Sequence, residues 1–447
     1  MFFHFIKYIS PTWYLNLKPF NNHVPYLINY DLLNTHEKSL LDFDLNYSSK
    51  MISYIDAAYQ AWNKGIIKTG SDYNIDTNNI QPSLNDEYYF VRKYYKSFWS
   101  LYILTFRIIS FHNPIKEIRA FTKNLSIQKR NLYDSIYRYE DYNKFTNDHI
   151  KSEPSISVII PTLNRYTYLK DILKDLELQD YKNFEVIIVD QSEPFENNFY
   201  LDFKLNLNVV QQIEKALWLA RNSAIKKSNS DYILLSEDDV RIPFDYINNH
   251  LKCIEYFKCD ISNGVFYPEG KSIPMEKSFF KYSDQFATGN TLIKKDIFKD
   301  VGLFDRQFEG QRGGDGEFGL RCYLAGYKMI SNPLSYCEDV KAPIGGLRQM
   351  GSWDAFRPKK LFSPRPIPSI NYYIRKYFGI KNAIINMVLS IPSSIIPYRF
   401  KRNKKLLIFG TFLFIIVSPI FLIPIIISWQ RSNKLIKEGA KIEYPKF

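Results

Sequence analysis

Between residues 154 and 239, short runs of β-branched residues alternate with amphipathic stretches. The runs ISVIIP, FEVIIVD and YILLSEDD are typical of strands buried on both faces, and the stretches between them repeat at helical spacing. In the first stretch, the apolar positions i, i+3, i+4 and i+7 are Leu169, Ile172, Leu173 and Leu176. This order predicts a parallel sheet with helices on its faces and a ligand site beyond the carboxyl ends of the strands.

Polar residues follow these strand ends, so the topology brings them together. They are Thr162, Asn164, Asp190, Glu237, Asp238 and Asp239. Three consecutive carboxylates are costly to bury unless a cation neutralises them, so LLSEDDV favours a divalent metal with oxygen ligands, Mg²⁺ or Mn²⁺. A solvated acidic turn before Pro243 is the alternative. None of the six histidines belongs to a ligand-spaced pair, which favours a site held by carboxylates and a diphosphate.

A second acidic motif lies in QRGGDGEFGLRCYLAGYK. Its glycines spell G-x-G-x-x-G, but no strand leads directly into them and no acidic residue follows at the spacing of a dinucleotide site. We interpret the motif as a flexible turn that presents Asp315 and Glu317 at the amino end of a helix. Helix capping by these acids explains the pattern equally well, and the two roles are compatible.

The two ends of the chain differ from this central region. Residues 1–151 predict a mainly helical accessory domain, with helices in KMISYIDAAYQAWNKG and EYYFVRKYYKSFWSLYILTFRIISF. Residues 406–429 contain no Asp, Glu, Lys or Arg, and about 20 apolar residues suffice to cross a bilayer. They predict a transmembrane helix, or a kinked re-entrant segment because Pro419 and Pro424 interrupt it.

Basic residues flank that apolar segment on both sides. The amphipathic region 358–405 carries the denser cluster and the tail 430–447 a weaker one. The positive-inside rule therefore predicts anchoring in the inner membrane with the catalytic body facing the cytoplasm. Region 358–405 also suits contact with anionic lipid headgroups.

Composition excludes some classes of protein. Charged residues are 23% and hydrophobic residues 45% of the chain, so it is not a disordered protein. The net charge of +13 favours anionic partners, but much of it clusters beside the apolar segment, which argues against nucleic acid. The four cysteines show no C-x-x-C or zinc spacing, which argues against a disulfide framework or a structural zinc site and fits a reducing compartment.

Six motifs in order resemble family 2 glycosyltransferases, the inverting enzymes of the GT-A fold. They are ISVIIPTLNR, VIIVDQS, LARNSAI, SEDD, ATGNTLIKKDIFKDVGLFD and GDGEFGLRCYLAGYK, between about residues 155 and 332. The resemblance implies an α/β fold with a Rossmann-like mixed sheet over residues 152–357. The extension VKAPIGGLRQMGSWDAFRP with a membrane tail is similar to a bacterial subgroup.

The resemblance also implies roles for individual residues. Those that would bind the nucleotide sugar are Pro161, Thr162, Asn164, Arg165, Asp190, Arg221 and Asp238. Asp239, with Asp238, would bind Mn²⁺ or Mg²⁺. Asp315 would be the catalytic base, with Glu317 as the competing candidate because Gly314 precedes Asp315 where the family has a Glu-Asp pair. Residues that would contact the acceptor are Gly289, Asn290, Arg348 and Trp353, although plain packing explains Trp353 equally well.

These observations predict an enzyme that moves one sugar from a nucleotide-diphosphate donor to a glycan or lipid-linked acceptor, with inversion, in cell-surface polysaccharide biosynthesis. The alternative is a non-catalytic, membrane-anchored scaffold that binds a nucleotide sugar or glycan. A nucleotidyltransferase would need a Gly-rich basic loop after the first strand, and PTLNRYTYLK lacks one. The expected partners are the donor, the acceptor and membrane lipids.

Overall fold

The computed structural model describes residues 2–21, 23–75, 80–342, 346, 362–394 and 404–447. The chain divides into two compact units that are not contiguous in sequence. Unit 1 comprises Met1–Lys144, Pro274–Asp284 and Tyr323–Ser331. Unit 2 comprises Phe145–Ile273, Gln285–Cys322 and Asn332–Phe447. The domain limits expected from the sequence stay a prediction.

Unit 1 is built mainly from helices. They are α1 Ile6–Ile9, α2 Thr35–Ser39, α3 Lys50–Asn63, α4 Leu84–Tyr94, α5 Ser97–Ile109 and α6 Pro114–Lys123. Side-chain caps fix where two of them begin: Ser49 accepts a hydrogen bond from the Ile52 amide, and Ser83 forms a capping box with Asp86. The second predicted helical run is divided into α4 and α5 at Tyr95 and Lys96, which are both extended.

An ionic cluster lies inside unit 1. The Lys93 ammonium is fully buried and lies 2.8 Å from Asp44 Oδ2 and 2.8 Å from Asp56 Oδ2. Burial opposes ionisation of Asp44, but hydrogen bonds from Lys93 and other donors outweigh it and lower its pKa to about 2. Burial raises the pKa of Asp56, and Lys93 opposes that rise. The cluster therefore depends on the cation at its centre.

Unit 2 contains the sheet. The strands of the described chain are β1 Ile156–Thr162, β2 Phe184–Asp190, β3 Leu207–Gln211, β4 Tyr232–Ser236, β5 Val240–Arg241, β6 Ile261–Pro268, β7 Lys281–Tyr282, β8 Asn290–Lys294 and β9 Met329–Asp339. Their order in unit 2 is β3-β2-β1-β4-β8-β6-β9-β5. Within unit 1, β7 pairs antiparallel with the first residues of β9.

The sheet is parallel on one side and antiparallel on the other. Strand β1 lies between β2 and β4 and pairs parallel with both, with Ile156 opposite Phe184 and Tyr232. All seven residues of β1 are buried, as the continuous apolar run predicts. Strand β8 pairs antiparallel with β4 and β6. The predicted α/β fold with a mixed sheet is confirmed.

Helices pack beside these strands and complete unit 2. The remaining helices are α7 Asp148–Lys151, α8 Tyr166–Glu177, α9 Leu217–Lys227, α10 Tyr246–Phe257, α11 Ile297–Val301, α12 Gly314–Leu324, α13 Pro368–Tyr377, α14 Gly379–Ser394 and α15 Lys404–Glu438. On α8, the four apolar residues of the predicted face are at most 1% exposed. The helical period read from the sequence is therefore confirmed at this position.

The C-terminal helix α15 contains the predicted transmembrane segment, 406–429. Within the residues that the structure describes, no helix is both long enough and apolar enough to cross a membrane, so this prediction finds no support. The carboxyl half of α15 contacts other residues of unit 2: the Ser428 hydroxyl donates a hydrogen bond to the Pro366 carbonyl, and the Arg375 guanidinium lies 4.1 Å from the Trp429 ring centroid. The sequence criterion for a spanning helix considers only length and charge, so it does not detect such tertiary contacts.

Candidate active site

A cavity of about 450 Å³ opens at the carboxyl ends of the parallel strands in unit 2. Most of the residues predicted from the strand ends and from the resemblance line it. They are Pro161, Thr162, Arg165, Arg221, Glu237, Asp238, Asp239, Gly289 and Asp315. Strand β1 supplies the first two of these residues, and the loop after β4 supplies Glu237, Asp238 and Asp239. The sheet topology therefore produces the convergence that the sequence predicts.

The acidic pair after β4 is neutralised by Arg165. Its Nη1 lies 2.8 Å from Asp238 Oδ1 and 3.2 Å from Asp239 Oδ2. The Thr162 hydroxyl donates to the other oxygen of Asp238 at 2.8 Å. Burial lowers the pKa of Arg165, but the two carboxylates outweigh it and the net pKa is raised. Burial raises the pKa of Asp238, against the opposing charge of Arg165.

Arg221 lies deeper, on α9, and is 2% exposed. Its Nη2 donates to the Thr288 carbonyl at 3.2 Å and lies 3.8 Å from Glu237 Oε1. Among the described residues, no acceptor lies within hydrogen-bond distance of its buried Nε. Burial lowers the pKa of Arg221, opposed chiefly by Glu237 and Asp315. A buried guanidinium with an unused donor at a cavity wall is suited to an anionic ligand.

Glu237 lies beside Arg221 with its side chain 44% exposed. Desolvation by the surrounding protein raises the pKa of Glu237 to about 7, and the positive charge of Arg221 opposes that rise. Gly289 leaves room for this side chain, because a Cβ there would lie 2.6 Å from Glu237 Cγ. Packing against Glu237 therefore favours a glycine at this position, and its predicted contact with an acceptor stays a prediction.

The two acids at the start of α12 have different surroundings. Asp315 lines the cavity, and its Oδ1 accepts a hydrogen bond from the Gly316 amide at 2.8 Å. Although its side chain is solvent-exposed, the protein around the cavity raises its pKa, and the Gly316 bond opposes that. Glu317 is fully buried and accepts bonds from Arg321 and Tyr377. Of the two, Asp315 is the one positioned to meet a ligand.

Asp190 and Asn164 do not line the cavity, although their neighbours Gln191, Leu163 and Arg165 do. Asp190 is fully buried, and its Oδ2 accepts hydrogen bonds from the Tyr166 and Tyr200 hydroxyls, both at 2.7 Å. Asn164 has a φ of +54°, which asparagine tolerates better than most residues. The backbone N–H of Asn164 donates a hydrogen bond to the Ser192 hydroxyl at 2.7 Å. Both residues tie the loop after β1 to the loop after β2, and their predicted roles toward the nucleoside stay predictions.

The remaining acceptor candidates fall into two groups. Asn290 does not line the cavity: it is fully buried, and its Oδ1 accepts bonds from Tyr246 at 2.9 Å and His250 at 2.8 Å. It joins α10 to the sheet. Arg348 and Trp353 lie outside the described residues.

Several cavity residues were not predicted from the sequence as site residues. They are Gln191, Lys215, Phe266, Phe286 and Lys341. Lys215 lies four residues before the motif LARNSAI, and Lys341 is the second residue of the extension VKAPIGGLRQMGSWDAFRP. Neither position has a spacing that indicates a ligand contact, so only the three-dimensional structure reveals that two more cations face the cavity.

The carboxylates satisfy part of the requirement for a metal site. Within the described ranges, no group of three or more His, Cys, Asp or Glu side chains forms a metal cluster. Mg²⁺ usually takes only one or two protein carboxylates and completes its shell with water and substrate phosphates. Asp238 and Asp239 supply two such carboxylates at the cavity wall. They fit a metal shared with a diphosphate, provided that Arg165 releases them.

Residues 157–300 match the family model described as Glycosyl transferase family 2. Glycosyltransferase GlyA of Streptococcus pneumoniae is 26% identical over 203 residues, which cover 40% of this chain and 29% of that protein. Amylovoran biosynthesis glycosyltransferase AmsB of Erwinia amylovora is 25% identical over 210 residues, 40% of this chain and 68% of that protein.

Among solved structures, S. aureus TarS residues 1–349 in complex with UDP aligns with a TM-score of 0.35 at 21% identity, covering 42% of this chain and 61% of that one. The chain spans less than a third of GlyA and 25% of Chondroitin synthase of Pasteurella multocida. The prediction of a transferase is nevertheless confirmed by the family match. Residues 157–300 therefore resemble a glycosyl transferase family 2 domain, and this similarity supports a transferase enzyme.

Proposed function

We propose that the chain transfers one sugar from a nucleotide-diphosphate donor to a hydroxyl group of a glycan or lipid-linked acceptor, with inversion, in cell-surface polysaccharide biosynthesis. The observation that carries the proposal is the composition of one cavity. It combines the carboxylate pair Asp238 and Asp239, several cations and the exposed carboxylate of Asp315. Relatives named for the biosynthesis of amylovoran and of teichuronic acid support the biosynthetic role.

The cavity has the charges that a diphosphate requires. Arg221, Lys215 and Lys341 line it, and arginine in particular binds phosphate oxygens through paired N–H groups. Asp238 and Asp239 would hold Mn²⁺ or Mg²⁺, which neutralises negative charge on the departing diphosphate. In this arrangement Arg165 exchanges its carboxylate partners for the phosphates of the donor.

Asp315 is the proposed base. It accepts the proton of the acceptor hydroxyl while the hydroxyl oxygen forms its bond to the anomeric carbon. The bond from that carbon to the diphosphate oxygen breaks, and the electron pair leaves with the diphosphate. A single displacement of this kind inverts the anomeric centre. The raised pKa of Asp315 suits proton acceptance, because a stronger base takes the proton more readily.

Nucleotide release from a panel of UDP, GDP, dTDP and CMP sugars, with Mn²⁺ or Mg²⁺ and with EDTA, tests the proposal. Asp315→Asn should lower transfer about 10² to 10⁴-fold while donor binding persists. Asp239→Asn should weaken metal-dependent donor binding as well. Asp296→Asn is the matched control, because its carboxylate is 83% exposed and its ion partner is the neighbouring Lys299. Transfer by Asp315→Asn equal to that of Asp296→Asn would remove the base assignment.

The alternative function is a scaffold that binds nucleotide sugar or glycan without turnover. It predicts donor binding in calorimetry with no nucleotide release under any condition, including a broad acceptor screen. The expected location at the cytoplasmic face of the inner membrane stays a prediction, which fractionation of cells producing the full chain would test.

A further inference from the structure

Helices α5 and α6 of unit 1 expose large apolar side chains close together in sequence. On α5 they are Phe98 at 64%, Leu101 at 52% and Ile109 at 71% exposure. On α6 and just beyond it they are Ile115 at 77%, Ile118 at 47% and Leu125 at 48%. Phe111, in the turn between the helices, is 99% exposed. Single exposed apolar residues are ordinary, but a concentration of this kind marks an interaction surface.

The apolar residues follow the helical repeat. On α5, Phe98, Leu101 and Ile109 are spaced by three and eight residues, and the exposed Thr105 lies between them. The Thr105 hydroxyl donates to the Leu101 carbonyl at 3.0 Å, so this polar group is already satisfied within the helix. On α6, the Thr122 hydroxyl likewise donates to the Arg119 carbonyl. Each helix thus has an outer row of exposed apolar side chains. The threonine hydroxyl within each row already has a hydrogen-bond partner in its own helix, so it needs little hydration by water.

Cations accompany the apolar row without exposed acids. Lys116, Arg119 and Lys123 are exposed on α6 beside Ile115 and Ile118. Glu117 is the only Asp or Glu between residues 96 and 130.

The carboxylate of that glutamate is not available to a partner. Glu117 is 2% exposed and is held by Arg107 at 2.7 Å and by the Tyr88 hydroxyl at 2.8 Å. The outer face of the hairpin therefore presents apolar and positively charged groups together. An apolar row beside a basic row is the pattern of helices that lie in the interface of an anionic membrane.

The turn supplies an independent observation. Phe111 has a φ of +61°, a conformation that is unusual for any residue with a Cβ and especially for a bulky one. Glycine or asparagine would occupy this position with less strain. The turn nevertheless holds an aromatic ring almost entirely in solvent, between the exposed Ile109 and Ile115.

We propose that the α5–α6 hairpin docks unit 1 onto an anionic lipid surface, with Phe111, Ile109 and Ile115 inserted among the headgroups and Lys116, Arg119 and Lys123 bound to lipid phosphates. This role does not depend on the proposed transfer reaction. It requires no spanning helix, because an interfacial helix buries only one face.

Co-sedimentation of the full chain with vesicles tests the proposal, using phosphatidylcholine alone and phosphatidylcholine with phosphatidylglycerol. The wild-type chain should bind the anionic vesicles preferentially, and less in high salt. The triple variant Lys116→Gln, Arg119→Gln, Lys123→Gln should bind them on the order of a hundredfold more weakly. Phe111→Ser with Ile115→Ser should lose about tenfold or more on both vesicle types.

Matched controls carry the same chemical changes on unit 2. Ile213→Ser removes a side chain that is 91% exposed, and Lys170→Gln, Lys174→Gln, Lys227→Gln removes three exposed cations. Both should bind vesicles like the wild-type chain. Thermal unfolding and nucleotide release should be unchanged in all variants, so that a failure of folding or of the proposed reaction is distinguished from a loss of docking.

Two results would overturn the proposal. If the hairpin variants bound vesicles as tightly as their controls, the lipid-binding surface would lie elsewhere on the chain. The second result is a wild-type chain that is a dimer in light scattering and a double variant, Phe111→Ser with Ile115→Ser, that is a monomer with unchanged vesicle binding. This result would assign the surface to contact with a second copy of the chain.

Discussion

Replacing Lys93 with methionine should destabilise unit 1 by about 3 to 5 kcal/mol, because it removes the cation from a buried ionic cluster. The Lys93 ammonium lies 2.8 Å from one oxygen of Asp44 and 2.8 Å from one oxygen of Asp56. All three side chains are at most 2% exposed. Methionine keeps the unbranched apolar stem of lysine, so the substitution tests the charge more than the packing.

The magnitude follows from two opposing quantities. A contact of 2.8 Å between unit charges is worth about 6 kcal/mol at an effective dielectric constant of 20. The cost of removing the charged groups from water cancels most of that gain in the native protein. When Lys93 is lost, however, Asp44 and Asp56 remain buried, and the half-exposed Arg130, whose Nη2 lies 3.7 Å from Asp44 Oδ2, offsets only part of their desolvation cost. The net loss therefore falls in the range measured for broken buried pairs.

The effect should depend on pH in a definite direction. The pKa of Asp44 is lowered to about 2 in the folded chain, so its contribution to stability is present above pH 3.8 and lost as the pH falls through 2. In Lys93→Met the pKa values of both aspartates should rise, because the adjacent cation is gone. The difference in stability between wild type and variant should therefore be largest near pH 7 and shrink on acidification.

Urea unfolding, with hydrogen exchange of peptides from α4, measures this prediction in unit 1. The triple variant Lys93→Met, Asp44→Asn, Asp56→Asn is the internal control: it removes the uncompensated charges and should recover part of the loss. Asp42→Asn should cost little, since Asp42 is 53% exposed and its oxygen lies 3.6 Å from Lys93 Nζ. A loss below about 1 kcal/mol for Lys93→Met at pH 7, or no recovery in the triple variant, would refute the reasoning.

Two further predictions concern the cavity and a glycine. The pKa of Glu237, raised to about 7, means that this side chain loses its proton between about pH 6 and pH 8, so binding of a negatively charged nucleotide-sugar donor should weaken across that range. Glu237→Gln should flatten this dependence in calorimetry; an equally steep profile would contradict it. Gly65→Ala should destabilise unit 1 by about 1 kcal/mol more than Gly70→Ala in urea unfolding. Both glycines have positive φ, but a Cβ at Gly65 would lie 2.4 Å from the Phe280 carbonyl, whereas no described atom lies within 4 Å of one at Gly70. Equal losses would remove the steric argument.

The location of the site was predictable because it follows from topology. Strand runs that end in polar residues must present them at one edge of a parallel sheet, and Thr162, Asp238 and Asp239 do meet there. The sequence could not predict that Arg165 binds both carboxylates. That pairing depends on the conformation of the loop after β1, which has no periodic signal.

Burial explains why other predicted site residues take different positions. Asn290 is the first residue of β8 and directly follows the turn residue Gly289, which lines the cavity. The Asn290 side chain enters the interior, where its Oδ1 accepts hydrogen bonds from Tyr246 and His250. A motif that names adjacent residues cannot distinguish the one that faces the ligand from the one that supports it.

The spacing of Asp315 and Glu317 in the sequence is enough to distinguish their roles. Residues two apart on a helix point to nearly opposite sides, so the two acids of α12 were never equivalent candidates for one site. Arg321 lies four residues after Glu317, the spacing of an ion pair, and its Nε lies 3.0 Å from Glu317 Oε2. The i, i+4 spacing thus predicts that Glu317 forms an ion pair with Arg321 within its own helix. Gly319 lies four residues after Asp315, so Asp315 has no basic partner at that spacing on α12. Its carboxylate is the one exposed at the cavity.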